Sequence, residues 1–268
     1  MAHTENMPAI YTHYAVANAL FNTLPTNVKT DISPRLPLYF FGSQGADFCF
    51  FYYVFGKRSP NLGSYLHRAN NGEVFRLLKS FSERSKNLYA YALGYITHYA
   101  ADVVFHPYVY ATAGNSYPKH SRLESALDVY FKPRLKYLPR ENLFQKPSLD
   151  EITELYILYA SIAKKSGFPP LIKQNFERAI FLFNASPPTS STLFRGEKRA
   201  YLNFACNKEK RVWAYPADQS IRRHDNAEEL FKKAFLFAQN LADIFCFSVE
   251  RHTPLPTDLF QKNFLTGL

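Results

Sequence analysis

Cysteine is scarce: Cys49, Cys206 and Cys246 are the only three. An odd number in apolar settings fits buried free thiols in a reducing compartment, and argues against a disulfide framework. Their spacing is not that of a thiolate zinc site. No apolar run is long enough to span a bilayer. The strongest candidate, residues 39–55, is interrupted by Ser43, Gln44 and Asp47. No secretory leader is visible, because Met1–Pro8 is polar and the short apolar run after it carries His13. A cytoplasmic location is the expectation. Period-two alternation, sustained heptads and internal repeats are also missing, which leaves no basis for a large sheet, a coiled coil or a solenoid. Acid is in short supply, with 22 Asp and Glu against 32 Lys and Arg and a formal charge of +10. That balance suggests an anionic partner: phosphate, nucleic acid or an acidic membrane surface. The basic residues are scattered, and short clusters such as Lys208-Glu209-Lys210-Arg211 and Arg222-Arg223 read as solvated surface.

Apolar residues make up 47% of the chain and aromatics 17%, enough for a sizeable core. Helical periodicity recurs over residues 13–24, 64–82, 87–105, about 119–130, 150–165, 170–184, 190–207 and 226–251. The signature Ser148-x-x-Glu151 marks one helix start. Residues 25–36 read as a loop with a helical turn, 55–63 as a turn-rich loop, and the segment after Thr253 as irregular. Pro107 disfavours helical geometry at His106, so the central helix is expected to end or kink there. With no flexible linker in view, residues 1–268 are expected to form a single all-α domain, a multi-helix bundle.

The chemistry concentrates between Tyr95 and Glu124. His98/Asp102, Asp102/His106 and His120/Glu124 are each spaced i,i+4, which puts each pair on one helix face. Imidazole and carboxylate at that spacing can close on one divalent cation, zinc by preference. The surroundings, including Leu93, Tyr95, Ile96, Tyr99, Val103 and Phe105, are apolar nearly all round, which predicts a buried helix. Buried carboxylates and imidazoles are costly unless paired or metal-bound. His13 and His67 stand in or beside earlier helical segments. Asp47 follows Gly42-Ser43-Gln44-Gly45-Ala46, where two glycines suggest a close backbone bend. His13, Asp47, His67, His98, Asp102, His106, His120 and Glu124 are too many ligands for one ion and suit two or three. A zinc cluster of this kind can make hydroxide from a bound water and clamp phosphoryl oxygens, which is metal-assisted phosphoester hydrolysis.

Met7-Pro8-Ala9-Ile10-Tyr11-Thr12-His13, Gly42-Ser43-Gln44-Gly45-Ala46-Asp47, His98-x-x-x-Asp102, His106-Pro107 and His120-x-x-x-Glu124 together resemble the zinc-dependent phospholipase C family. That family includes bacterial phosphatidylcholine-hydrolysing phospholipase C and clostridial alpha-toxin, and is related in fold to fungal single-strand nucleases. The resemblance implies an all-α bundle with three zinc ions. One would be held by Asp47, His67, His98 and Asp102, a second by His106, His120 and Glu124, and a third by His13 with Asp102 bridging. It implies either a general-base or water-orienting role for Asp47 or a structural one, and substrate contact by Phe48. Secreted members complete the third site with an N-terminal tryptophan. This sequence begins Met1-Ala2-His3, so His3 or the amino terminus would have to substitute, and two or three ions are expected. Ser64 stands where an aromatic would help to grip choline, and no lipid-binding β-sandwich follows.

The implied activity is a zinc-activated water attacking phosphorus in a phospholipid or another phosphate ester. Nuclease, soluble phosphodiesterase and phosphomonoesterase activities stay open, although no aromatic stacking stripe supports nucleic acid. Peripheral contact with an anionic membrane is compatible with the charge. A metal-stabilised scaffold without catalysis is the alternative of a different class.

Overall fold

The structure, a computed structural model, describes residues 10–53, 61–68, 71–114, 116–138, 145–185 and 199–268. It is all-α, and the architecture is built around one long helix. This helix, Lys86–Ala113, is the sixth in chain order and is labelled α6. It follows α1 (Ile10–Thr23), α2 (Thr26–Ile32), α3 (Leu36–Gly42), α4 (Leu62–Leu66) and α5 (Asn71–Ser82). After it come α7 (Tyr117–Phe131), α8 (Leu149–Ser166), α9 (Lys173–Ala185), α10 (Arg199–Ala205) and α11 (Ala227–Glu250). Short 3₁₀ turns cover Ser33–Arg35, Asp47–Phe51, Lys132–Leu135 and Thr257–Phe260.

Ser85 starts α6: its hydroxyl accepts the Leu88 N–H at 3.2 Å, satisfying one of the helix's orphan donors. From Leu88 to Val103 every residue is buried. A helix apolar all round must be wrapped on all sides, and α3, α11, α5, α1 and α7 do so. The closest approach is to α3, where a Cβ on Gly94 would lie 2.0 Å from the Tyr39 carbonyl. That contact carries the chain after α3 directly onto the face of α6 that presents His98.

Several boundaries differ from the sequence expectation. The central helix does not stop at His106 but runs through Pro107 to Ala113. Proline removes only the bond to the Val103 carbonyl, and burial of the surrounding turns holds the rest. Residues 64–82 are not one helix; they divide into α4 and α5, and His67 is the residue that ends α4. Residues 25–36 are more ordered than a loop, forming α2 and the Ser33–Arg35 turn. Of the helix expected over 190–207, Arg199–Ala205 is seen as α10 and residues 190–198 lie outside the described residues. Most of the 55–63 loop and His3 also lie outside them. The described residues contain one two-stranded antiparallel ribbon, Trp213–Ala214 with Arg222–Arg223.

The Ser148 capping box forms as its spacing suggests, with Glu151 and Ser148 bonding reciprocally. Trp213 packs against Tyr108 and Tyr215. The three cysteines are free thiols, Cys49 and Cys206 buried and Cys246 partly so. No helix among the described residues is long and apolar enough to cross a membrane.

Gly45 has φ +54°, and a Cβ there would lie 1.9 Å from His98 Cδ2. Its carbonyl accepts from the Tyr91 and Tyr159 hydroxyls at 2.9 and 3.1 Å, which fixes the bend. Gly45→Ala is expected to cost more than about 1 kcal/mol of stability and to displace His98. Thermal unfolding and zinc content measure both, and a variant matching the parent in each would rule out a constraining contact.

Candidate metal centre

The eight residues singled out by sequence converge on one end of the bundle. His13 comes from the first turns of α1. That turn is anchored by Asp128 of α7, whose buried carboxylate accepts the Ile10 N–H, the Thr12 N–H and the Thr12 hydroxyl at 2.8, 2.8 and 2.9 Å. Burial pushes the Asp128 carboxyl up to about 6 against the pull of the Thr12, Tyr11 and Ile10 backbone. Asp47 opens the 3₁₀ turn after Gly45. His67 is brought beside it because Asn61, which caps α4, also donates to the Phe50 carbonyl at 2.7 Å. The His67 ring donates from Nδ1 to the Gly63 carbonyl at 2.8 Å, leaving Nε2 to face Asp47. His98, Asp102 and His106 lie along one face of α6, and His120 and Glu124 come from α7.

Three ligand groups result. They are His13, Asp47 and His98; His67, His98 and Asp102; and His106, His120 and Glu124, and within each the donor atoms lie within 4.8 Å of one another. The grouping differs in two respects from the sets implied by resemblance: His13 is gathered with Asp47 and His98, and the group of His67, His98 and Asp102 does not include Asp47, although Asp47 lies 3.2 Å from His67. Asp102 uses both oxygens. Oδ1 lies 3.4 Å from His13 Nε2, and Oδ2 lies 3.4, 3.9 and 3.9 Å from His98 Nε2, His67 Nε2 and His106 Nδ1.

Those separations bear on whether the cluster is held by hydrogen bonds or could cradle a metal. Direct hydrogen bonds would be about 2.7–3.2 Å. A tetrahedral zinc site with bonds near 2.0–2.1 Å has ligand-to-ligand edges of roughly 3.3–3.4 Å. His67 to Asp47 is 3.2 Å, His13 and His98 to Asp102 are 3.4 Å, and His106 to Glu124 is 3.4 Å. These four pairs stand about one tetrahedral edge apart, whereas His120 Nε2 and Glu124 Oε1, at 3.0 Å, are within hydrogen-bonding distance. Two buried atoms at the centre, His98 Nε2 and Asp47 Oδ2, have no hydrogen-bond partner. Leaving such groups unsatisfied costs on the order of 1–3 kcal/mol each, and a cation between them would satisfy both. Imidazole and carboxylate without thiolate suit zinc.

Electrostatics agree. Burial, then the neighbouring His13, His67 and His106, hold the His98 imidazole well below its usual range, which favours the neutral form that a metal ligand requires. Burial raises the Asp102 carboxyl, while His106 and His13 pull it down. Burial also opposes charge on His67 and His106, yet Asp47 raises the first, and Asp102 and Glu124 carry the second up to about 10. Glu124, despite its burial, is held low by His120 and His106.

Phe48, expected to touch substrate, lies elsewhere. Its ring has no exposed surface and packs on Phe41, Tyr159 and Phe176, so no face is left for a headgroup. Rings that do meet the ligands include Phe50 and Phe264 on His67, Tyr95 and Phe264 on His98, and Tyr110 on His120 and His106. Asp128 was legible in principle, since it continues the i,i+4 ladder of His120 and Glu124. Phe264 had no sequence signal.

Fold and donor set define an all-α protein with three groups of imidazole and carboxylate that could hold metal. The family model for zinc dependent phospholipase C matches residues 12–174, more than half of the chain, and all eight candidate ligands fall inside the match. The chain belongs to that family. No curated protein and no solved structure matches it.

Asp102→Asn should lower zinc content and hydrolysis together, and full zinc stoichiometry by atomic absorption would sink the bridging assignment. Zinc must also displace the His106 proton. With its metal-free pKa near 10, loading at neutral pH should release about one proton from this residue, and apparent affinity should rise with pH up to that value. Calorimetry in buffers of different ionisation enthalpy counts the protons; a count of zero contradicts the electrostatics.

Proposed function

We propose that this protein is a zinc-dependent phosphoester hydrolase of phospholipase C type, with His13, Asp47, His67, His98, Asp102, His106, His120 and Glu124 holding two or three ions. The observation that carries this reading is the convergence of three ligand groups, two of which share His98, with Asp102 lying within 3.9 Å of His13, His67, His98 and His106. Zinc, when bound, supplies Lewis acidity that acidifies a water and neutralises charge on phosphoryl oxygens.

The chain's own residues do the rest. Exposure is graded across the cluster. The inner ligands are 0–6% exposed, whereas His106, His120 and Glu124 are 11–12% exposed. Substrate therefore enters at the His106, His120 and Glu124 end. Asp47 Oδ2 has no hydrogen-bond partner and, where it does not itself hold the cation, can orient the attacking water or take its proton. Tyr110 lines the mouth, its ring 4.7 Å from His120. Its phenol is raised by burial and then by Glu124 and Asp102, and is pulled the other way by Arg68. Arg68 is exposed and directly follows His67. A guanidinium at that mouth suits a phosphate oxygen, by charge-assisted hydrogen bonds. The substrate class is a phosphate ester, a phospholipid headgroup included, and the net positive charge favours approach to an anionic lipid surface.

The test is a panel of phosphodiesters, phosphomonoesters and phospholipid vesicles with the zinc-loaded protein, alongside Arg68→Ala. Turnover of at least one ester is expected. The Arg68 variant should lose roughly tenfold in kcat/KM with zinc content unchanged. Full zinc occupancy without turnover of any ester would remove the enzyme reading and leave a metal-stabilised scaffold.

A further inference from the structure

Residues 255–268 carry no functional pattern in sequence, yet they form one wall of the metal centre. Phe260 and Phe264 are buried. The Lys262 carbonyl accepts from Asn71 Nδ2 at 2.9 Å and from the Tyr99 hydroxyl at 3.1 Å, which ties the segment to α5 and α6. Asn263 then organises a tight turn. Its Oδ1 accepts the Leu265 and Thr266 N–H groups at 2.8 and 3.1 Å, and its carbonyl accepts the Gly267 N–H at 2.9 Å.

The turn docks where α6 is notched by proline. Pro107 leaves the Val103 carbonyl without its intrahelical donor. Gly267, with φ +72°, fills that notch, because a Cβ on it would lie 2.5 Å from the Val103 carbonyl oxygen and 2.8 Å from Pro107 Cγ. Only a residue without a side chain fits there. The docked turn brings the Phe264 carbonyl to 2.9 Å from His106 Nδ1. It also lays the Phe264 ring 5.2 Å from His67 and 5.6 Å from His98.

A carbonyl can only accept, so the proton of that bond sits on Nδ1. We infer that Phe264 is a positioning residue for the outer metal site: its carbonyl holds His106 in the tautomer that presents Nε2 to the cation shared with His120 and Glu124. Backbone carbonyls commonly fix ligating histidines in this way. The inference rests on the reading of His106 as a ligand. It gives the His106-Pro107 pair a joint purpose, in which the histidine binds and the proline makes the seat for the segment that orients it. His67 shows the local form of the same device through Gly63, whereas the partner of His106 lies 158 residues away.

Gly267→Ala and the milder Asn263→Ala test it. Stepwise zinc affinities would be measured by chelator competition, with the outer site assigned through His120→Ala, and ring N–H signals followed by histidine-selective NMR. Both variants should weaken the outer site, Gly267→Ala by about 10–100-fold, with the inner affinities unchanged and the protected His106 Nδ1–H signal lost. Unchanged affinity at the outer site in both variants would overturn the proposal. Equal weakening at all sites would also do so, since that marks general unfolding. If the parent protein binds no zinc, the metal reading fails. The positioning claim is then decided by the metal-free spectrum: a protected Nδ1–H present in the parent and lost in Gly267→Ala upholds it, and its absence from the parent overturns it.

Discussion

A carboxylate buried among imidazoles is the constraint on which this structure depends. Asp102 sits on a helix covered from all sides, and both its oxygens are within 3.9 Å of histidine nitrogens from three separate helical elements. Burying such a group without compensation costs several kcal/mol. Its histidine neighbours stand 3.4–3.9 Å away, beyond ordinary hydrogen-bonding distance. A cation among these donors could supply the missing compensation. Bundle packing supplies the burial, and the burial in turn makes the ligand set meaningful.

Holding that arrangement takes residues that are not ligands. Gly45 lets the chain pass against the His98 ring, and two tyrosine hydroxyls pin its carbonyl. Asp128 anchors the first turn of α1 and so aims His13. The Phe264 carbonyl meets His106 from the far end of the sequence. Each acts by backbone contact or by capping, which explains why the supports are dispersed while the ligands cluster. Removing a support would loosen one ligand without deleting it.

Function follows from the asymmetry of the cluster. Its inner ligands are 0–6% exposed and its outer ligands 11–12%, with the Tyr110 ring against His120. In the proposed reading, zinc phospholipase C membership and this difference in exposure favour a phosphate ester approaching from the outer end. Phe48 contributes packing deep in the aromatic core.

Much of this was legible in the chain itself. The i,i+4 pairs of histidine and carboxylate gave helix faces, and the apolar surroundings of α6 required burial, because local spacing and local hydrophobicity are sufficient for both. The capping box at Ser148 and the bend at Gly45 were readable for the same reason. What only the tertiary structure decided are relations between distant segments. These are the gathering of His13 with Asp47 and His98, the passage of α6 through Pro107, and the seating of Gly267 and Phe264 against His106. A helix is expected to break at proline when judged from its own residues; here burial on all sides outweighs one lost hydrogen bond, and the freed notch is occupied by a segment 160 positions further on. Contacts of that range leave no periodic trace in sequence, since they depend on how the elements pack and not on how each one forms.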